Sequence, residues 1–271
     1  STAVPTTFQL CGNTIQLTDT SKVLGVTLDR KLNFKQHCEN MLNNLVYRWV
    51  CISRYANRNW GLNQRVLVCL VRTVIFSSLF YSSLVWQTNA NLVQLNKLWY
   101  KVAKSTIGAV FNVQHTIAEV ILGVPPLSVT GRVLAVEHYL KALSTTDDIH
   151  RSFLFEEVIS GNPAILSQMK DAIRFIKWKQ KLYPRSILPA DMDLITNSLS
   201  IEELFRLSKR TCYYSRRLID GFTEFLWQES LQNKLQLERG LVTYSKSLSF
   251  SSTPATWHQS GNRSVNHESI L

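Results

Sequence analysis

From Asn40 to Ala118 the sequence contains no aspartate and no glutamate. Inside that gap lie Arg48, Arg54, Arg58, Arg65, Arg72, Lys97, Lys101 and Lys104. A solvated surface ordinarily mixes both signs, so an uncompensated basic stretch points to contact with phosphates. The alternative is that dispersed charges merely solubilise a helical bundle. Cysteine is sparse and unpatterned: Cys11, Cys38, Cys51, Cys69 and Cys212 are odd in number and lack C-x-x-C spacing. That argues against a disulfide framework and fits a reducing compartment, so an intracellular location, nuclear or cytoplasmic, is expected.

Catalytic patterns are equally scarce. No Gly-rich phosphate loop occurs, and the histidines form neither H-E-x-x-H nor a zinc spacing with the cysteines. Phosphoryl transfer by a polymerase needs carboxylates converging on two metal ions. The only Asp-Asp pair is Asp147-Asp148, in a polar break after Ser144-Thr145-Thr146 that reads as a solvated turn or helix cap. Asp191 and Asp193, beside Pro189, read the same way. The chain opens Ser1-Thr2-Ala3-Val4-Pro5 with no initiator Met or signal segment, which suggests a fragment. Val66 to Trp86 is long enough to span a bilayer, but Arg72 and four serines dilute it, and a core helix is the expectation.

What is present is a globular composition, 45% hydrophobic and 10% aromatic over 271 residues, with 30 Lys+Arg against 19 Asp+Glu and a net charge of +11. Such a chain can bury a sizeable core, and its charge favours a polyanionic partner or an acidic surface. Phe8 to Cys11 and Thr14 to Leu17 alternate around Gly12-Asn13, predicting a hairpin. Lys22 to Asp29 predicts a strand joining it, with Gly25 at a bulge or close backbone approach. From about His37 the period becomes helical, with Cys38, Leu42, Leu45, Val46 and Trp49 on one face. A helix is expected from Asn63 to Trp86, and another has Leu92, Leu95, Trp99 and Val102 opposite Lys97, Lys101 and Lys104. Thr116 and Glu119 predict a capping box, as do Ser200 and Glu203. Glu137 and Lys141 are spaced to pair.

Further on, Lys170, Arg174, Lys177 and Lys181 align along one helix edge. Arg206, Arg210, Tyr213 and Arg217 align on a helix opening at Ser200. These two edges suit either nucleic acid or water. From Tyr244 onward the composition predicts disorder.

Phe8 to Asn13, Lys22 to Asp29 and Leu32 to His37 together resemble the end of the palm in reverse transcriptases of non-LTR retrotransposons, of the Jockey-like and I-like groups. Ser83 to Trp86, Leu95 to Lys101 and Glu119 to Leu127 are similar in order and spacing to the segment after that palm. The resemblance covers about residues 7–143. It implies a palm-edge β element over 1–35, a helical thumb over 36–143 that grips the template–primer duplex, and a primer-holding edge near Leu24 and Gly25. Residues 149–237 would be a helical connector and 244–271 a disordered tail. The expected architecture is thus mainly α, a helical bundle preceded by a small antiparallel β element.

The complete parent would be an RNA-directed DNA polymerase using Mg. Its metal-binding aspartates and its fingers would precede residue 1, so no cofactor and no catalytic or metal-binding residue is expected in these residues. The implied nucleic-acid contacts are Lys22, Lys31, Arg54, Arg58, Arg65, Arg72, Lys97, Lys101 and Lys104. The second candidate set is Lys170, Arg174, Lys177, Lys181, Arg206, Arg210 and Arg217. A free-standing, element-derived nucleic-acid-binding protein and a basic helical scaffold or membrane-surface protein stand as alternatives.

Overall fold

The computed structural model describes residues 7–56, 61–109, 113–145, 148–161 and 163–237. Strands β1 (Thr7–Leu10) and β2 (Asn13–Gln16) pair antiparallel, as do β3 (Thr20–Val23) and β4 (Val26–Asp29). The two hairpins form separate sheets, not the joined one expected. The expected single strand over Lys22 to Asp29 is likewise corrected, because the chain folds back at Leu24-Gly25 with φ of 47° and 87°. Left-handed backbone at both central positions gives the tight turn whose twist matches its flanking strands, and glycine adopts it without a Cβ penalty. The first hairpin turns at Cys11-Gly12, one residue before the expected site.

After β4 the Asp29 carboxylate accepts the backbone N–H groups of Lys31, Asn33 and Phe34 at 3.2, 3.2 and 2.7 Å. Burial pushes that carboxyl up, but the three donors outweigh it and hold it below the usual range. The chain so turned enters α1 (Lys35–Ser53), which buries Cys38, Met41, Leu45 and Ile52. Val46, expected on this face, is exposed.

The expected helix from 63 to 86 is divided. Asn63 caps α2 (Gln64–Leu70) by accepting the Arg65 N–H, a π-helical stretch follows over Val71–Phe76, and α3 (Ser77–Leu79) completes the rod. A turn through Ser82, whose φ is 51°, leads to α4 (Ser83–Trp86). In α5 (Asn89–Thr106) Leu92, Leu95, Trp99 and Val102 are buried, as the helical period predicts, while Lys97 and Lys101 are exposed.

Helix α6 (His115–Leu122) starts one residue before Thr116, with Gln114 at its cap, so the expected Thr116–Glu119 box does not form. Glu119 is instead buried and accepts the Trp99 indole N–H at 3.1 Å. Gly123, at φ 61°, ends the helix. Helix α7 (Leu127–Ser144) follows, and its Glu137 lies 3.9 Å from Arg216.

The remaining helices are α8 (Asp148–Ile159), α9 (Pro163–Leu182), α10 (Pro189–Thr196), α11 (Ile201–Leu204), α12 (Lys209–Cys212) and α13 (Arg216–Leu237), with a 3-10 turn at Pro184–Ser186. The Ser200–Glu203 capping box forms in full. The long helix expected beyond it is broken into α11, α12 and the start of α13, because Ser208 caps a new helix by accepting the Thr211 N–H at 3.2 Å. Asp191, expected to be solvated, is buried and accepts the Ser208 hydroxyl at 2.7 Å and the Thr211 hydroxyl at 2.5 Å.

Two hydrophobic clusters organise these elements. One gathers β4 and α1 to α6 around Leu45, Ile75, Leu95 and Trp99; the other gathers α7 to α13 around Val136, Leu140, Phe175 and Phe222. Because α7 packs with the second cluster, the two meet near Leu127, upstream of the polar break after Leu143. The architecture is the expected one, mainly α behind a small antiparallel β element. Among the described residues no single helix is long and apolar enough to cross a membrane; α6 and α7 pass only as a pair bent by 55°. None of the five cysteines forms a disulfide. The expected tail over 244–271 lies outside the described residues, as do Arg58 and Asp147.

Candidate nucleic-acid interface

Along α1, Asn40, Asn44 and Arg48 recur every fourth residue, so one helical face carries them beside the buried Met41 and Leu45. The β3–β4 hairpin and α3 wall this face into a cleft of about 380 Å³, to which Lys22, Ser78 and Tyr81 also contribute. The Arg48 guanidinium donates to the Val74 carbonyl at 3.4 Å and to the Ser78 hydroxyl, which fixes its position at the cleft wall. Among the described residues no acidic side chain lines this space.

Two of its residues bear on the hairpin turn. The Tyr81 hydroxyl donates to the Leu24 carbonyl at 2.7 Å. A Cβ placed on Gly25 would lie 3.2 Å from the Tyr81 ring. The close approach that Gly25 permits is therefore to Tyr81, and Leu24 itself is 87% exposed at the tip. His37 also lines the cleft and is buried. Its Nδ1 accepts the Thr27 N–H at 3.3 Å, which leaves the proton of the neutral ring on Nε2. Nε2 has no hydrogen-bond partner among the described residues, and burial pushes the ring's pKa down.

The other cations of the first half are distributed around its cluster. Lys31 is exposed after β4, Arg54 just past α1, and Arg65 in the first turn of α2. Lys97 and Lys101 stand one turn apart on the open face of α5, and Lys104 lies 5.8 Å from the centre of the Tyr100 ring. Arg72 donates to the Gly123 carbonyl at 2.8 Å, tying the π-helical stretch to the end of α6. None of Lys22, Lys31, Arg54, Arg65, Lys97 and Lys101 forms an ion pair with a described residue.

The second half is electrostatically different. Arg132 and Arg174 both engage the buried Asp171, Arg174 also reaches Glu229 at 2.7 Å, and Arg216 lies near Glu137 and Asp220. Of the expected edge, Arg174 is thus answered by carboxylates; Lys170 and Lys181 are exposed and Lys177 is half-buried. Arg206, Arg210 and Arg217 are exposed, but Arg206 lies in the turn after α11, Arg210 in α12 and Arg217 in the first turn of α13, so they do not share one helix stripe. Folding brings Arg210 and Arg217 to one cavity and leaves Arg206 apart from it.

Sequence reading overlooked four members of these sites. Asn40 and Asn44 had a signal, their four-residue spacing ahead of Arg48. His37 shares the buried phase of Met41 and Leu45 but carries no mark of an unpartnered nitrogen. Lys179 lies between Lys177 and Lys181 in sequence, yet is 2% exposed. Among the described residues no group of three or more His, Cys, Asp or Glu side chains is arranged to hold a metal ion. No known protein family, curated protein or solved structure matches the chain.

Proposed function

We propose that these residues form a helical module that grips nucleic acid, in the manner of the thumb and connector of a reverse transcriptase of the non-LTR retrotransposon type. The observation that carries the reading is the charge distribution. Residues 40–118 hold eight cations and no acid, and so supply eight of the eleven excess positive charges of the chain. The cations of the second half, by contrast, include several arginines answered by carboxylates. Unpaired cations gain most when a polyanion replaces their counterions, because each phosphate neutralised releases a condensed ion.

The geometry supports a division of labour. Lys22 and Arg48 supply positive charge to the acid-free cleft, and Asn40 and Asn44 supply amide donors that hold phosphate or sugar oxygens without reading sequence. The lysine face of α5 offers a second contact, and the paired second half serves as a stiff support. The resemblance adds the polymerase context, in which the chemistry belongs to the metal-binding aspartates of the palm and not to its edge element in residues 1–35.

A duplex-binding titration at rising salt tests this. The logarithm of affinity should fall linearly with the logarithm of salt, by about 0.9 for each phosphate engaged. Absence of binding, or affinity indifferent to salt, sinks the proposal. Preference for anionic vesicles over duplex would favour a membrane-surface role instead.

A further inference from the structure

A second cavity, of about 330 Å³, opens where the 3-10 turn after α9 meets α12 and the start of α13. Tyr183, Ser186, Arg210, Tyr213, Ser215 and Arg217 line it, and among the described residues no acidic side chain does. Tyr183 and Tyr213 are 50% and 64% exposed, so both rings are open to a ligand. Among the described residues Arg217 forms no ion pair and the Arg210 guanidinium makes only a long contact, 3.4 Å, to the Arg185 carbonyl.

The wall is rigidly held from beneath. Lys179 is buried, and its ammonium donates to the carbonyls of Arg210, Thr211 and Tyr213 at 3.4, 3.2 and 2.7 Å. A buried ammonium given three carbonyl acceptors fixes the backbone that carries Arg210 and Tyr213. The cavity thus presents aromatic faces and guanidinium groups from a backbone that is ordered before any ligand arrives.

We infer that this cavity takes one unpaired nucleotide of a single-stranded nucleic acid. The tyrosine rings offer stacking surface to a base of any identity, and Arg210 and Arg217 offer donors to its phosphate. The volume lies near the lower end of the roughly 300–1,000 Å³ typical of small-ligand sites, room for a nucleotide and not for a duplex end. An acidic peptide would engage the arginines but leave both rings unused. This inference rests on the nucleic-acid reading above and extends it from the duplex to the strand beyond it.

The test uses the full chain and three fluorescent probes: a blunt duplex, the same duplex with a short unpaired extension, and the free single strand. The extension should tighten binding at least about fivefold, the smallest gain expected for one stacked base. Y183A/Y213A should abolish that gain and Y183F/Y213F should keep it, both with blunt-duplex affinity unchanged, and R210Q/R217Q should reduce it. Should the tyrosine pair fail to fold by circular dichroism, the exposed arginine pair decides alone. No gain from the extension, or a gain that survives Y183A/Y213A, overturns the inference while leaving the duplex reading intact. Single-strand binding that needs both rings, without duplex binding, supports the cavity and rejects the duplex grip. Binding to none of the probes rejects both, and displacement by polyglutamate as readily as by single strand overturns the assignment to a nucleotide.

Discussion

The Arg132 guanidinium closes a fork on the Asp171 carboxylate, Nε to Oδ2 at 2.7 Å and Nη2 to Oδ1 at 2.5 Å, locking α7 to α9. Asp171 is buried, whereas the Arg132 side chain keeps 38% of its exposure. Arg132→Ala should therefore cost about 2–3 kcal/mol in urea denaturation, less than the ~3–5 of a fully buried pair broken on one side. Replacing both partners, as in R132M/D171L, should recover part of that loss, since no carboxylate is then left buried. Equal losses in the single and double variants would show that the fork does not carry the α7–α9 contact.

The cleft beside α1 makes a separable prediction. K22Q/R48Q should weaken duplex binding and reduce the salt slope by about 2, one phosphate contact per cation removed. K97Q/K101Q should act in the same direction from α5, without altering the thermal midpoint. R174Q, whose arginine is occupied by Asp171 and Glu229, should change stability and leave the slope alone. A slope unchanged in both cation pairs would place the nucleic acid elsewhere.

At the second hairpin, Gly25→Ala should destabilise the chain by roughly 1 kcal/mol or more, because φ of 87° strains any L side chain and the new methyl meets the Tyr81 ring. Tyr81→Phe, which removes only the bond to the Leu24 carbonyl, should cost about 1 kcal/mol. Hydrogen exchange at Thr27 and Leu28 is the direct readout, and protection equal to wild type in G25A would contradict the turn geometry.

Glu119 and His115 give a pH prediction of opposing signs. Burial pushes the Glu119 carboxyl up to about 7, against the weaker pull of Lys234 and the Trp99 N–H, and pushes His115 down to about 4, with Lys234 adding to the effect. His115 Nε2 lies 3.2 Å from Glu119 Oε1 but is misdirected for a hydrogen bond. The folded state favours protonated Glu119, so that contribution is full below pH 4.5 and is lost as pH rises to about 7. His115 contributes fully above pH 6.5 and loses its contribution as pH falls to about 4. In wild type the two oppose each other across the overlap. Glu119→Gln removes the first, so its stability relative to wild type should climb between pH 4.5 and 7 by on the order of 3 kcal/mol. A flat difference would mean that Glu119 ionises normally.

How much of this was legible in the sequence depends on whether a residue's role is local. Leu92, Leu95, Trp99 and Val102 were read correctly because helical spacing alone selects the buried face, and the Ser200–Glu203 box because both partners lie within one turn. The Thr116–Glu119 box failed on the same pattern, since Trp99, twenty residues earlier, claims the glutamate. Leu24 at a left-handed position gives no warning in sequence, so the hairpin read as a strand. The acid-free interval was visible in full. Which of its cations share a cleft was not, because Lys22 and Arg48 line one space only after the hairpin packs on α1 through β4.

The π-helical stretch over Val71–Phe76 has a consequence for chain length. A π turn accommodates one residue beyond the α-helical count and leaves the helix on either side in its own phase. Deleting one residue there would let the stretch relax to α geometry while Leu67 and Leu79 kept their places in the first cluster. The same deletion within α1 or α5 would rotate every later side chain by about 100° and turn the buried stripe toward water. The rod from Gln64 to Leu79 therefore holds one residue of slack, so that its length can change there without repacking what surrounds it.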